Sequence, residues 1–233
     1  MTPERLRELK FQVRRHMNGE VANIMKDLDD AYKANYGISL QHARDVARAE
    51  DLSAPDCDEL WQTGWRDLML IAAAAIRRHD PAPELLARWA ATVPTLEMAD
   101  ALPFLTAGGL SQVPTLAAML LARDQDYDFA MAANFAARAI VARTAETDVQ
   151  PVAAIATSIM LLAEARAQWT FAETRALSFL ARQCCRLASQ GHAFDHCAVT
   201  AVDRLRQSAL ARPDAQARAL ADDIDAEREM LQQ

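Results

Sequence analysis

Apolar residues recur at three- and four-residue spacing along almost the whole chain, and short punctuating clusters cut the pattern into segments. Asn18-Gly19, Tyr36-Gly37, Ser53-Ala54-Pro55-Asp56, the run from His79 to Pro83 and Gly191 are such clusters. This spacing places apolar side chains on one face of an α-helix and is incompatible with the two-residue period of a half-buried strand. Alanine dominates the apolar set, aromatic residues make up only 6%, and there are six glycines, a composition that favours helix and disfavours sheet. The pattern predicts about twelve or thirteen helices joined by short turns, with paired units recurring every ~40 residues. The predicted fold is therefore all-α, a HEAT-like α-solenoid, with an irregular α-bundle as the alternative. No Pro-, Gly- or Ser-rich linker divides residues 1–233, so one helical-repeat domain is expected.

Local signals set the individual elements. Thr2-Pro3 reads as an N-cap followed by proline at the first helical position, opening a helix that runs to about Met17. A second helix is expected over 20–35, with Val21, Ile24, Met25 and Leu28 inward. Tyr36-Gly37 then stops it, with the glycine in the left-handed conformation. Ser39 and Ser53 cap the next two starts, the latter with Asp56 in the first turn. A strongly apolar helix follows over 65–78, and another over 83–93. Thr95 caps a helix that Pro103 is expected to bend or end. Ser111 is expected to cap the following helix, and Asp124 to Asp128 form an acidic turn. Further helices are expected over 129–143, 151–167, 171–189 and 194–208, and a charged last one opens at Pro213.

Hydrophobic residues amount to 52% of the chain, which excludes a disordered polypeptide, and mean hydropathy is near zero. The longest uncharged apolar run, Leu68 to Ile76, is too short to span a bilayer. No apolar leader follows MTPERLRELK, so a cytoplasmic, monomeric protein without membrane partners is expected. Net charge is −7, which counts against a dedicated nucleic-acid binder but leaves room for a local basic stripe. Nearly all of the 25 basic residues are arginine, the side chain better suited to gripping phosphate. Four cysteines, Cys57, Cys184, Cys185 and Cys197, are expected to be reduced in that compartment. Cys184, Cys185, His192, His196 and Cys197 form the only cluster of metal-ligating types. They contain no CxxC pair, and neither metal nor cofactor is expected.

One carboxylate stands out. Asp100 lies in the Thr95–Leu105 segment, about 100° around the helix from Ala99 and about 160° from Met98, so it flanks the apolar stripe.

Several motifs in order are similar to those of the DNA alkylation repair family, the AlkD-type glycosylases built from HEAT-like repeats. They are Tyr36-Gly37-Ile38-Ser39-Leu40, Leu60-Trp61, Trp65-Arg66-Asp67-Leu68, Trp89, Thr95 to Asp100 and Asp124 to Ile140. The resemblance runs from about Asn18 to about Arg186. It implies a curved solenoid whose concave face cradles duplex DNA, and an Asp that supports excision of N3- or N7-alkylated purines. Asp100 falls at that position. The family's Trp four residues earlier is Leu96 here, and its Arg in the following repeat falls near Ala130 or Met131. A later family aromatic matches Phe179. The resemblance thus implies a binding module with lost or weak glycosylase activity. The alternatives are an alkylpurine glycosylase using Asp100 and a scaffold for a protein partner. Tyr127, Arg138, Arg143, Arg175, Phe179 and Arg182 are the candidate DNA contacts, with weak, sequence-independent binding to duplex. Each has an ordinary alternative, a solvated arginine face or a core aromatic.

Overall fold

A computed structural model describes every residue except 29, 107–110, 124, 144–147, 190–195 and 233, and the side chains of 196 and 197. Thirteen α-helices lie among the described residues. In chain order they are α1 (Pro3–Arg15), α2 (Gly19–Leu28), α3 (Leu40–Ala49), α4 (Ala54–Gln62), α5 (Arg66–Ile76), α6 (Pro83–Ala90) and α7 (Leu96–Thr106). Then follow α8 (Val113–Leu121), α9 (Asp128–Ala142), α10 (Gln150–Ala165), α11 (Phe171–Ser189), α12 (His196–Ala211) and α13 (Ala215–Leu231). The sole β pairing among these residues is an isolated parallel bridge between Ala34 and Trp65. No helix among them is long and apolar enough to cross a membrane.

The helices form two layers in which each packs on its neighbours in the stack. In one layer α3, α5, α7, α9, α11 and α13 lie side by side. In the other α6, α8, α10 and α12 do so, and the Trp61–Trp89 stack, with ring centroids 4.6 Å apart, ties α4 to α6. Nearest-neighbour packing of helix pairs is solenoid architecture. Composition explains how the layers close. In α9 the buried positions include Ala130, Ala132, Ala133, Ala136 and Ala137, small enough to let α7, α8, α10 and α11 all pack against one helix. α5 is apolar on nearly every side and is enclosed accordingly.

Caps act as the sequence indicates at several starts. The Thr2, Ser39 and Thr95 side chains accept from the amides of Arg5, His42 and Met98. Ser53 and Asp56 form a reciprocal capping box at α4. At α8 the cap is Gln112, without a side-chain bond, in place of the expected Ser111. In the box the Ser53 hydroxyl and amide hold the Asp56 carboxyl down at about 2. An unfolded-state aspartate titrates near about 3.9. The box's contribution is therefore complete above that pH and lost as pH falls through about 2. Ser53→Ala should cost about 1 kcal/mol at neutral pH and reduce the loss of stability between pH 5 and pH 2, measured by urea melts. An unchanged acid limb would refute the assignment.

The second helix is corrected in its end and in its inward face. The second helix ends at Leu28 and α2 buries no residue. Ile24 and Leu28, expected inward, are 53% and 81% exposed. The reason is tertiary: the segment from Lys33 to Ile38 is drawn out of helix by long-range bonds to α5 and its flank. Lys33 N–H donates to the Gly64 carbonyl (2.9 Å), and Arg66 N–H donates to the Ala34 carbonyl (2.9 Å). Asp67 accepts the amides of Tyr36 (2.7 Å) and Ile38 (3.0 Å). Gly37 does adopt a positive φ of 70°, and a Cβ there would lie 2.4 Å from the Asn18 carbonyl oxygen. Pro103 lies inside α7, which continues to Thr106.

Candidate nucleic-acid interface

The layer of α3, α7, α9, α11 and α13 carries most of the singled-out residues on one surface. α7 is anchored by Glu97, which accepts from Arg66 Nε (3.0 Å) and is paired with Arg66 Nη2 (2.5 Å). Arg66 is only 4% exposed and also donates to the Ile38 carbonyl (3.0 Å). Trp65-Arg66-Asp67 is therefore structural: it fastens the Tyr36–Ile38 loop and α7 to α5. One turn of α7 beyond Glu97, Asp100 emerges half-buried.

Asp100 opens on a cleft of about 370 Å³. The lining includes Asn134 and Arg138 from α9, Arg175, Phe179 and Arg182 from α11, and Asp223 from α13. Both carboxylate oxygens of Asp100 are engaged. Asn134 Nδ2 donates to Oδ1 (3.2 Å), and Arg175 Nη1 lies 3.1 Å from Oδ2. The pair with Arg175 is open to solvent, at 52% and 36% side-chain exposure for the arginine and the aspartate.

Arg138 lies against two rings, 4.7 Å from the Phe104 centroid and 4.6 Å from that of Phe179. Arg44 of α3 covers Phe104 as well, at 4.4 Å. Arg44, Phe104, Arg138 and Phe179 thus form a ladder of guanidinium groups and rings across four helices, each contact a cation–π interaction. Burial pushes the Arg138 guanidinium below its ordinary value, Arg44 adds to that, and Asp100 opposes it. Arg182 enters the same cleft, and its Nε is buried without a hydrogen-bond partner among the described residues. On the far side, the Ser178 hydroxyl donates to Asp223.

The structure thus brings Asp100, Arg138, Arg175, Phe179 and Arg182 together. Tyr127 lines an adjacent cleft of about 570 Å³ with Leu96 and Arg166. Arg143 stands just past α9, where its Nη1 donates to the Ile140 carbonyl, away from this lining. Residues not singled out in the sequence prove part of the surface. Arg44 and Phe104 are joined to it by the ladder, and Phe171, 53% exposed, lines both clefts. A signal for Phe171 existed: it stands one turn before Arg175 and two before Phe179 on the same helix. Arg44 had none, because its proximity depends on the packing of α3. Cys184 is buried and Cys185 half-buried, both as free thiols that burial pushes up from their ordinary value. His192 and the side chains of His196 and Cys197 lie outside the described residues.

The sequence matches the family described as DNA alkylation repair enzyme over residues 9–174. The chain belongs to that family. The DNA alkylation repair match ends just before Arg175, so Phe179 and Arg182 lie beyond it. Among curated proteins none matches. A solved structure is similar in fold, with a TM-score of 0.70 at 10% identity, covering 95% of this chain and 94% of that one. It is described as a new family of proteins related to the HEAT-like repeat DNA glycosylases with affinity for branched DNA structures. This DNA alkylation repair chain therefore has the HEAT-like α-solenoid fold.

Proposed function

We propose that the chain is a DNA-binding member of its family in which base excision is lost or weak, and that the Arg138–Arg182 cleft is where DNA is held. The observation that supports this reading is the engagement of Asp100. An N-alkylated purine is already cationic, so its departure requires negative charge placed beside the oxocarbenium-like sugar. The Asp100 carboxylate instead faces the Arg175 guanidinium at 3.1 Å and the Asn134 amide at 3.2 Å, so its charge is compensated. The positions of the family's Trp and Arg hold Leu96 and Ala130 or Met131, which add neither stacking nor charge.

One observation favours the glycosylase reading. Exposed ion pairs are worth about 0–1 kcal/mol, so a DNA phosphate arriving at Arg175 could draw it off and free Asp100. The protein-scaffold reading has less support, because the cleft sets three arginines against two aspartates, a positive balance that an acidic or apolar docking patch would not show. The affinity of the structural relative for branched DNA makes junctions the first substrates to try.

The test combines two assays on the wild-type protein. Incubation with DNA carrying 7-methylguanine should release no base. Fluorescence anisotropy should show salt-sensitive binding to duplex, of order 10⁻⁶ to 10⁻⁴ M near physiological salt, typical of non-specific contacts. Robust base release that disappears in Asp100→Asn would establish the glycosylase reading instead. Failure to bind duplex or junction even at low salt would remove both DNA readings and leave the scaffold.

A further inference from the structure

We infer that the α11 stripe Phe171, Arg175, Phe179 and Arg182 is a track for an unpaired DNA strand, with Phe171 as its open stacking platform. The inference rests on the DNA-binding reading above and specifies which form of DNA the cleft takes.

The four residues stand at i, i+4, i+8 and i+11 on one helix, so they share a face and rise in steps of about 6, 6 and 4.5 Å. Aromatic and cation alternate along that face. All four line the same cleft. A positive groove interleaved with aromatic rings is the chemistry that holds single strands: cations follow the phosphates and rings take the bases. Two of the four, Phe171 and Arg182, have capacity to spare, and Arg175 is paired with Asp100 at 3.1 Å. Phe171 is 53% exposed, although Arg175 stands 5.5 Å from its centroid, and it forms the ridge between the Asp100 cleft and the Tyr127 cleft. Arg182 brings a guanidinium to the cleft wall that makes no hydrogen bond through its buried Nε among the described residues. Phe179 already has Arg138 over its ring and serves as a wall.

The stripe discriminates against duplex for a geometric reason. In B-form DNA every base is stacked between its neighbours, so no base face is free for Phe171. At a fork, a flap or a single strand, base faces are free, and the alternation of ring and guanidinium can be matched by alternating base and phosphate.

The experiment compares Phe171→Ala and Phe171→Tyr with the wild-type chain by anisotropy. The probes are a dT oligonucleotide, a blunt duplex of equal length and a fork with single-stranded arms, all at the same low salt. Wild type should bind the fork and the dT strand at least tenfold more tightly than the duplex. Phe171→Ala should lose roughly 5- to 150-fold on those two probes, the range given by base–aromatic stacking, and less than twofold on the duplex. Phe171→Tyr should retain wild-type preference. Circular dichroism should show unchanged helix, since Phe171 is exposed. Equal binding of all three probes by wild type, or an alanine variant that loses nothing or loses equally on each, would overturn this inference while leaving DNA binding intact. Wild-type protein that binds none of the probes would overturn the DNA-binding reading as well.

Discussion

Replacing Arg138 and Arg182 together by alanine is expected to flatten the salt dependence of DNA binding. On duplex DNA each phosphate neutralised releases condensed counterion and contributes a slope of about −0.9 in log K against log salt, so two lost contacts reduce the slope by about 1.8. Relative to 1 M salt, that corresponds to roughly 200-fold in affinity at 50 mM. The choice of residues follows from their state in the free protein. Arg175 is committed to Asp100 at 3.1 Å, whereas Arg138 is held by rings and Arg182 has a buried Nε without a partner among the described residues. Both are half-buried at the cleft wall, and the two rings hold Arg138 in place before DNA arrives, so little of its side-chain entropy remains to be lost on binding. Titrations from 50 to 200 mM salt measure the slope. A double variant with wild-type slope would place the DNA on another surface.

Arg66→Met is expected to have the largest effect on stability, about 3–5 kcal/mol, because it removes one partner from a buried ionic cluster. Arg66 satisfies Glu97, the Ile38 carbonyl and, at 3.3 Å, Asp67. Methionine fills much of the same volume, so the loss reports the uncompensated groups and not a cavity. For a chain of this size the shift in Tm should be about 6–20 °C. Adding Glu97→Gln to Arg66→Met should recover part of the loss, since the amide removes one of the two carboxylates that faced Arg66 and leaves only Asp67, which keeps the Tyr36 and Ile38 amides as donors. Urea denaturation of the three variants gives the comparison. A loss below about 1 kcal/mol for Arg66→Met would show that water reaches the cluster and solvates Glu97 directly. The same variant tests the descent of function from fold, because Arg66 fastens α7, the helix that presents Asp100.

What the sequence determined by itself was everything set by short-range physics. Three- and four-residue apolar spacing specifies helix within a few turns of chain, so the all-α class follows without reference to anything distant, and α11 runs from Phe171 to Ser189 as expected. The Ser53–Asp56 capping box and the Thr95 cap were legible for the same reason, since their partners lie three residues away. The candidate cations were legible as residues but not as a site. Tertiary structure decided which of them meet: α9 and α11 bring Arg138 onto Phe179, α3 adds Arg44 through Phe104, and Arg143 is left aside at the Ile140 carbonyl. It decided the state of Asp100 too, because Arg175 and Asn134 come from helices far along the chain. It also shortened the second helix, whose apolar face at Ile24 and Leu28 has the right period yet finds no neighbouring helix to bury it. Periodicity states that a face is apolar. Whether that face is covered, and which charge stands opposite a given carboxylate, depends on packing between segments remote in sequence, where local spacing carries no information.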